Sequence, residues 1–225
     1  MTLSTLREAT SRFVGDKDIT RYTSAEYLAA LNRAQEQFVL ESKALWRDVT
    51  WTTVSGTATY AFSAASADIS SSFMFEDWVT FDGYELAPIS RHELQRLNPG
   101  DDWTDEEGTP SHFLIDPEEA AKRIRLYPIP QSAVTLSMRC FVLPTALAAD
   151  SDTPLNSSAL MAQFHIAIAA YAAWLLLLGE ETTAGIVEKR RELLDIYTNG
   201  RDLAIDTFKN TMSMGIKIKG SRIWR

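Results

Sequence analysis

Five carboxylates crowd one short segment of this chain: Asp101, Asp102, Asp105, Glu106 and Glu107, with Trp103 among them. Paired carboxylates are the machinery of glycoside hydrolysis, and an indole beside them can stack on a sugar ring. That chemistry needs rigid elements that hold the two acids across a cleft. Here the acids lie between Gly100 and Gly108, and five acids in seven residues read more simply as a solvated loop. His92, His112 and His165 are separated by 20 and 53 residues, and no pair has metal-ligand spacing. The Gly-rich phosphate cradles and the G-x-S-x-G nucleophile elbow are absent. The sequence therefore predicts no enzyme, no metal and no cofactor. A glycan hydrolase using the acidic loop remains the weaker alternative.

The C-terminus carries a different kind of pattern. Met212, Met214, Ile216, Ile218, Ile223 and Trp224 are interleaved with Lys217, Lys219, Arg222 and Arg225. The run Ile216-Lys217-Ile218-Lys219 has strand period, apolar to one side and basic to the other. Three readings fit: a last strand on the protein's own sheet, an arm that orders on a partner, or a basic tail for a membrane or nucleic acid. The third would make the chain a peripheral binding module.

Charge sharpens the contrast. The formal net charge is −8. From Lys209 onward there are five basic residues and no acidic one, which leaves −13 on residues 1–208. An acidic body argues against broad nucleic-acid binding, because phosphate neutralisation needs a basic surface. With 45% hydrophobic residues over 225, the chain can bury a substantial core. A single cysteine, Cys140, excludes an intrachain disulfide and fits a reducing compartment. Met1-Thr2-Leu3-Ser4 lacks the basic-then-apolar pattern of a secretion signal. The longest apolar stretch, residues 164–178, contains His165 and falls short of the roughly 20 residues of a membrane span. It predicts a buried helix.

The elements follow from periodicity. Residues 3–14 read as a short helix broken at Gly15. Residues 23–46 read as a long one, opened by the capping-box pair Thr23 and Glu26, with Tyr27, Leu31, Ala34, Phe38 and Leu45 as its apolar stripe. Val49, Trp51 and Thr53 then alternate as a strand, Ser55-Gly56 turns, and residues 57–62 return. Residues 63–72 read as a small polar loop. Residues 78–81 and 84–89 flank Asp82-Gly83, a hairpin signal because both turn positions favour positive φ. A helical turn at 91–97, an acidic loop at 98–110 and strands at 112–115, 123–127 and 134–142 follow. The last strand should turn Val134, Leu136, Met138, Cys140 and Val142 to one face and Thr135, Ser137 and Arg139 to the other. After a linker at 150–154, helices are expected over 157–178, capped by Asn156 and ended by Gly179, and over 182–208, with Asn199-Gly200 a possible break. Helices, then a mostly antiparallel sheet, then long helices define an α+β fold. The expected domain is 1–208, with a helical bundle from 1–47 and 155–208 around a β-region at 48–145. Residues 209–225 form an extended basic arm.

Several fragments follow one another in a telling order: Gly56-Thr57-Ala58-Thr59-Tyr60, Gly83-Tyr84-Glu85-Leu86-Ala87-Pro88-Ile89-Ser90, Gly108-Thr109-Pro110-Ser111-His112-Phe113 and Arg125-Leu126-Tyr127-Pro128-Ile129-Pro130. Leu147-Ala148-Ala149-Asp150-Ser151-Asp152-Thr153-Pro154-Leu155 comes next, then a helix with Ala-Ala-Tyr-Ala-Ala at 169–173. Individually weak, together they resemble the head–tail adaptor (connector) proteins of tailed bacteriophages, over about residues 3–208. The resemblance implies a virion structural protein of the phage neck, made in the host cytoplasm. It implies a homo-oligomer, a dodecameric ring between the portal and the tail nozzle. DNA would pass through the centre without sequence-specific binding, and no membrane would be involved. It also implies that the C-terminal segment (Met212, Met214, Ile216, Lys217, Ile218, Lys219, Arg222, Ile223, Trp224, Arg225) is a portal-binding arm. The loop with Asp101, Asp102, Trp103, Asp105, Glu106 and Glu107 is then a candidate to face the tail or the channel. An acidic body suits such a channel, since like charge keeps DNA from sticking.

Overall fold

The computed structural model describes residues 1–97, 103–116, 122–157 and 161–215. The chain divides into two compact units. One is helical, Met1–Leu45 with Leu143–Arg225, and the other is Trp46–Val142, which carries the strands. Helices and mostly antiparallel sheets in these proportions make the fold α+β, as the sequence predicts.

In the helical unit, α1 (Leu3–Val14) ends at Gly15, whose φ of 77° is the left-handed conformation that glycine supplies at little cost. α2 (Ser24–Ser42) begins with the expected capping box: the Thr23 hydroxyl accepts from the Glu26 amide, and the Glu26 carboxylate accepts from the Thr23 amide. This helix stops well before Trp46, because Lys43 turns left-handed with its amide bonded to the Val39 carbonyl. Tyr27, Leu31, Ala34 and Phe38 are buried along one face, as their spacing requires, and Leu45 is buried beyond the helix end.

In the β unit, β1 (Trp46–Thr52) opens a sheet in which strands Thr135–Val142, Phe73–Phe81 and Tyr84–Glu85 follow it in that order. β2 (Thr59–Ala61) does not return on β1. It joins a second sheet, where strands Arg123–Tyr127, His112–Asp116 and Ala87–Pro88 follow it in that order, so the local turn at Gly56 redirects the chain between sheets. The segment expected as a small polar loop holds two short helices, α3 (Phe62–Ala65) and α4 (Ala67–Ser72), anchored by the buried Phe62 and Ile69. β3 (Phe73–Phe81) is longer than expected and turns at Asp82 and Gly83, whose φ angles of 51° and 81° match the hairpin signal. The return splits: β4 (Tyr84–Glu85) pairs with β3, whereas β5 (Ala87–Pro88) changes sheets.

The short helix α5 (Arg91–Leu97) then connects β5 to a parallel partner, the one crossover of that kind among the described residues. β6 (Glu107–Gly108) precedes β7 (His112–Asp116), β8 (Arg123–Tyr127), β9 (Ile129–Pro130) and β10 (Thr135–Val142). On β10, Leu136, Met138, Cys140 and Val142 are buried as the alternation predicts. Phe141 is buried too, against Phe75 at 4.7 Å between rings, and Val134 is only half-buried.

The chain then re-enters the helical unit. The expected helix start near Ser157 is replaced by 3-10 turns at Pro154–Ser157 and Met161–Phe164, and α6 (His165–Leu177) begins only at His165. Asn156 is not its cap. Phe164 holds that position without a side-chain cap bond. Gly179 is not left-handed, and the cap residue is Leu178 in right-handed conformation. α7 (Ala184–Gly215) runs through Asn199-Gly200 without a break and converts the expected extended start of the arm, 209–215, into helix. Gly200 is there for proximity: a Cβ at this position would lie 2.5 Å from the Ala167 Cβ on α6. The small residues of α6, Ala167, Ala169, Ala170, Ala172 and Ala173, are all buried and permit that approach. Phe38 completes the core between Phe164 and Tyr197, at 5.7 and 6.3 Å. Each such side chain contributes about 1.5–3 kcal/mol on burial.

Candidate functional site

The four β-region fragments of the resemblance meet in one place. β8 pairs with β7 on one side and β2 on the other, so Ile124 lies opposite Tyr60 and Ile115. The Gly56 amide donates to the Pro130 carbonyl at 2.9 Å, and the Leu126 amide to the Ala58 carbonyl at 2.8 Å. Gly108 bridges to Pro130, and a Cβ there would meet the Pro128 Cβ at 3.3 Å. The Tyr127–Pro128 bond is cis. Ala87 and Pro88 run parallel to His112 and Phe113. These glycines and prolines are thus the turn and close-contact points of a single small sheet and its neighbouring bridge.

The Leu147–Leu155 fragment does the same for the helical unit. The Asp152 carboxylate accepts the amides of Ala148 and Ala149 at 2.7 and 2.8 Å, and these bonds hold it below the usual carboxylate range. The Leu3 and Ser4 amides at the start of α1 donate to the Asp152 and Asp150 carbonyls, and Arg7 reaches the Asp150 carboxylate at 3.0 Å. The fragment therefore closes an N-terminal helix end as well as its own turn.

The acidic loop has only part of its length among the described residues. Asp101 and Asp102 lie outside them, and Trp103 is described only as backbone of the 3-10 turn Trp103–Asp105. Asp105, Glu106 and Glu107 are exposed. Their backbone is stitched down: Arg125 donates to the Thr104 carbonyl at 3.1 Å, the Ile129 amide to the Glu106 carbonyl at 2.8 Å, and the Tyr127 hydroxyl to the Glu106 carboxylate. Glu106 therefore faces a phenol.

The histidines are scattered. His92 is exposed on α5, and His112 on β7 shares a 2.8 Å hydrogen bond with the Ser111 hydroxyl. His165 is buried, with Nδ1 accepting from the Met1 ammonium at 2.9 Å. Burial, then that positive charge, push its pKa down to about 4. Among the described residues no group of three His, Cys, Asp or Glu side chains could hold a metal ion. Cys140 is buried and its thiol is pushed up to about 11, mainly by desolvation, so it is a packing residue and a poor nucleophile. No described helix is long and apolar enough to cross a membrane.

Of the C-terminal candidates, Met212 and Met214 lie in the last turns of α7, while Ile216, Lys217, Ile218, Lys219, Arg222, Ile223, Trp224 and Arg225 lie outside the described residues. Sequence reasoning missed two features. One is a stack on the first sheet: the Arg139 guanidinium lies 4.3 Å from the Trp46 ring and 5.4 Å from that of Trp78, and Asp48 grips it at 2.7 and 2.9 Å. Strand alternation places Arg139 on the correct face, but its neighbours come from distant segments. The other is an apolar groove beside β3, which no local pattern announces.

The contacts among these residues are structural ones, and the chain belongs to a recognised class. The chain matches the SU10 adaptor protein family over residues 1–205, nearly its whole length, and belongs to that family of phage head–tail adaptors. None of the curated proteins matches it. The match takes in both units and stops before the last turns of α7.

Proposed function

We propose that this protein forms a closed ring, a dodecamer in the virion, that joins the portal to the tail nozzle in the phage neck. The observation that carries the reading is the family match across both structural units. Surface composition supports it. Among the described residues most of the exposed large apolar side chains belong to the helical unit, where Leu40, Ile166, Val187 and Leu203 are each 43–56% exposed, and Val54 and Tyr84 are exposed on the β unit. A ring gives every copy two neighbours against which such side chains can be covered. The charge of −13 on residues 1–208 suits a channel that lets DNA slide without sequence-specific contacts.

The C-terminal segment is the arm that reaches the portal. Its six apolar residues supply area and its four basic residues supply complementarity to an acidic surface. Repeated around a ring, individually weak arms act together at high effective concentration. The acidic loop then faces the tail or the channel. The test is a chain ending at Gly215, mixed with purified portal rings and sedimented. The full chain is expected to co-sediment and the shortened one to remain behind while its helical signal persists. A shortened chain that saturates the portal refutes the arm.

A further inference from the structure

The β unit contains an open groove of about 470 Å³ beside β3. Phe73, Ile89, Phe113 and Ile115 supply its apolar lining, and Glu76 and Glu93 add two carboxylates. β10 pairs with the first half of β3 on one side, and on the other side β4 pairs only with Thr80 and Phe81, so among the described residues no strand pairs with that second edge at Phe73–Glu76. Glu93 is fixed in place: its Oε2 accepts the Ser90 amide at 3.0 Å and the Ser90 hydroxyl at 2.8 Å. These bonds keep it ionised, and Oε1 takes no hydrogen bond from a described residue.

A groove of this composition calls for an extended guest that is apolar on one side and basic on the other. The chain itself contains such a segment. Ten residues follow Gly215, enough to span roughly 33 Å when extended. They alternate Ile216 and Ile218 with Lys217 and Lys219, end in Ile223-Trp224-Arg225, and carry four positive charges and no negative one. We propose that the groove receives residues 216–225 of a second copy of this chain, with its isoleucines on the apolar lining and its lysines at Glu76 and Glu93. Groove and segment are different surfaces, so the contact is heterologous: it passes from copy to copy and closes when the rotation closes. The choice of a second copy as partner rests on the ring reading above. The segment sits on its neighbour until a portal takes it.

The test uses the full chain, half of it labelled with ¹⁵N, treated with a carbodiimide that joins amines to carboxylates in contact, and read by mass spectrometry. Mixed-isotope links from Lys217 or Lys219 to Glu76 or Glu93 are expected, with loss of those links and of self-association in Ile218→Asp, which keeps every reactive group. A chain that stays monomeric at all concentrations overturns the proposal. So do links confined to one isotope, links to other carboxylates, or links that survive Ile218→Asp. Portal capture is measured on the same sample. Capture without the links removes the groove seat and leaves the adaptor reading standing, whereas links without capture remove the portal arm.

Discussion

The side chain of Asn32 makes both backbone hydrogen bonds of Leu147: Oδ1 accepts the Leu147 amide at 2.7 Å, and Nδ2 donates to the Leu147 carbonyl at 3.0 Å. Gln35, one turn on, donates to the Asn32 Oδ1 and to the Thr145 carbonyl. A polar side chain on α2 thereby satisfies a stretch of irregular backbone as a neighbouring strand would. Asn32→Leu keeps the size but strands a buried donor and acceptor. Thermal or urea denaturation should show a loss of about 1–3 kcal/mol. An unchanged midpoint would mean that water replaces both bonds.

Gly200 and Ala167 form a contact that admits no added methyl. Gly200→Ala should destabilise by about 1–3 kcal/mol through overpacking, although alanine is the better helix former by roughly 1 kcal/mol. Ala167→Gly in the same chain removes the opposing methyl and should restore most of the loss. If the double variant is no better than the single one, the cost lies elsewhere than in this crossing.

Arg190 ends α6 from outside. Its guanidinium donates to the Leu177 carbonyl, with Nε at 3.0 Å, and to the Glu180 carbonyl at 3.2 Å, placing a cation at a helix C-terminus where no glycine cap exists. Arg190→Met keeps the aliphatic stem and removes the donors, and the expected loss is about 0.5–2 kcal/mol. High salt should diminish the effect only slightly, since the bonds are to backbone.

The buried neutral His165 sets an acid limit on the fold. Its folded pKa, lowered to about 4, lies below its ordinary value of 6.5. The unfolded chain therefore binds the extra proton first, and the stability His165 contributes is complete above pH 6.5 and lost as the pH falls through about 4. Denaturation midpoints measured across that range should fall more steeply for the native chain than for His165→Gln. Parallel slopes would show that other groups govern the acid response.

The sequence was legible where the signal is local. Thr23 with Glu26, Gly15, and Asp82-Gly83 are complete instructions within a few residues, and each produces the expected cap or turn. It was illegible where the answer depends on a distant partner. The strand character of residues 59–61 is visible, but their pairing with residues 123–125, in a different sheet from β1, is not. Residues 161–178 are apolar on nearly every side, so no stripe marks His165 as the point where 3-10 turns give way to α-helix. Gly200 looks like a break because its reason, the Ala167 methyl, belongs to another helix. The candidate site followed the same rule. The composition of the C-terminal segment is plain in the sequence, whereas the groove with Glu76 and Glu93 exists only once β3, α5 and β7 are brought together.

The central claim is that this chain adds to a portal as a ring, and native mass measurement tests it most directly. The protein is mixed in excess with the purified portal ring of the same phage, and the mass of the complex is recorded. The account predicts a gain of one full ring of subunits, with no stable intermediate of a few copies at saturation. An intact portal that gains no mass, or gains scattered single copies, would contradict it.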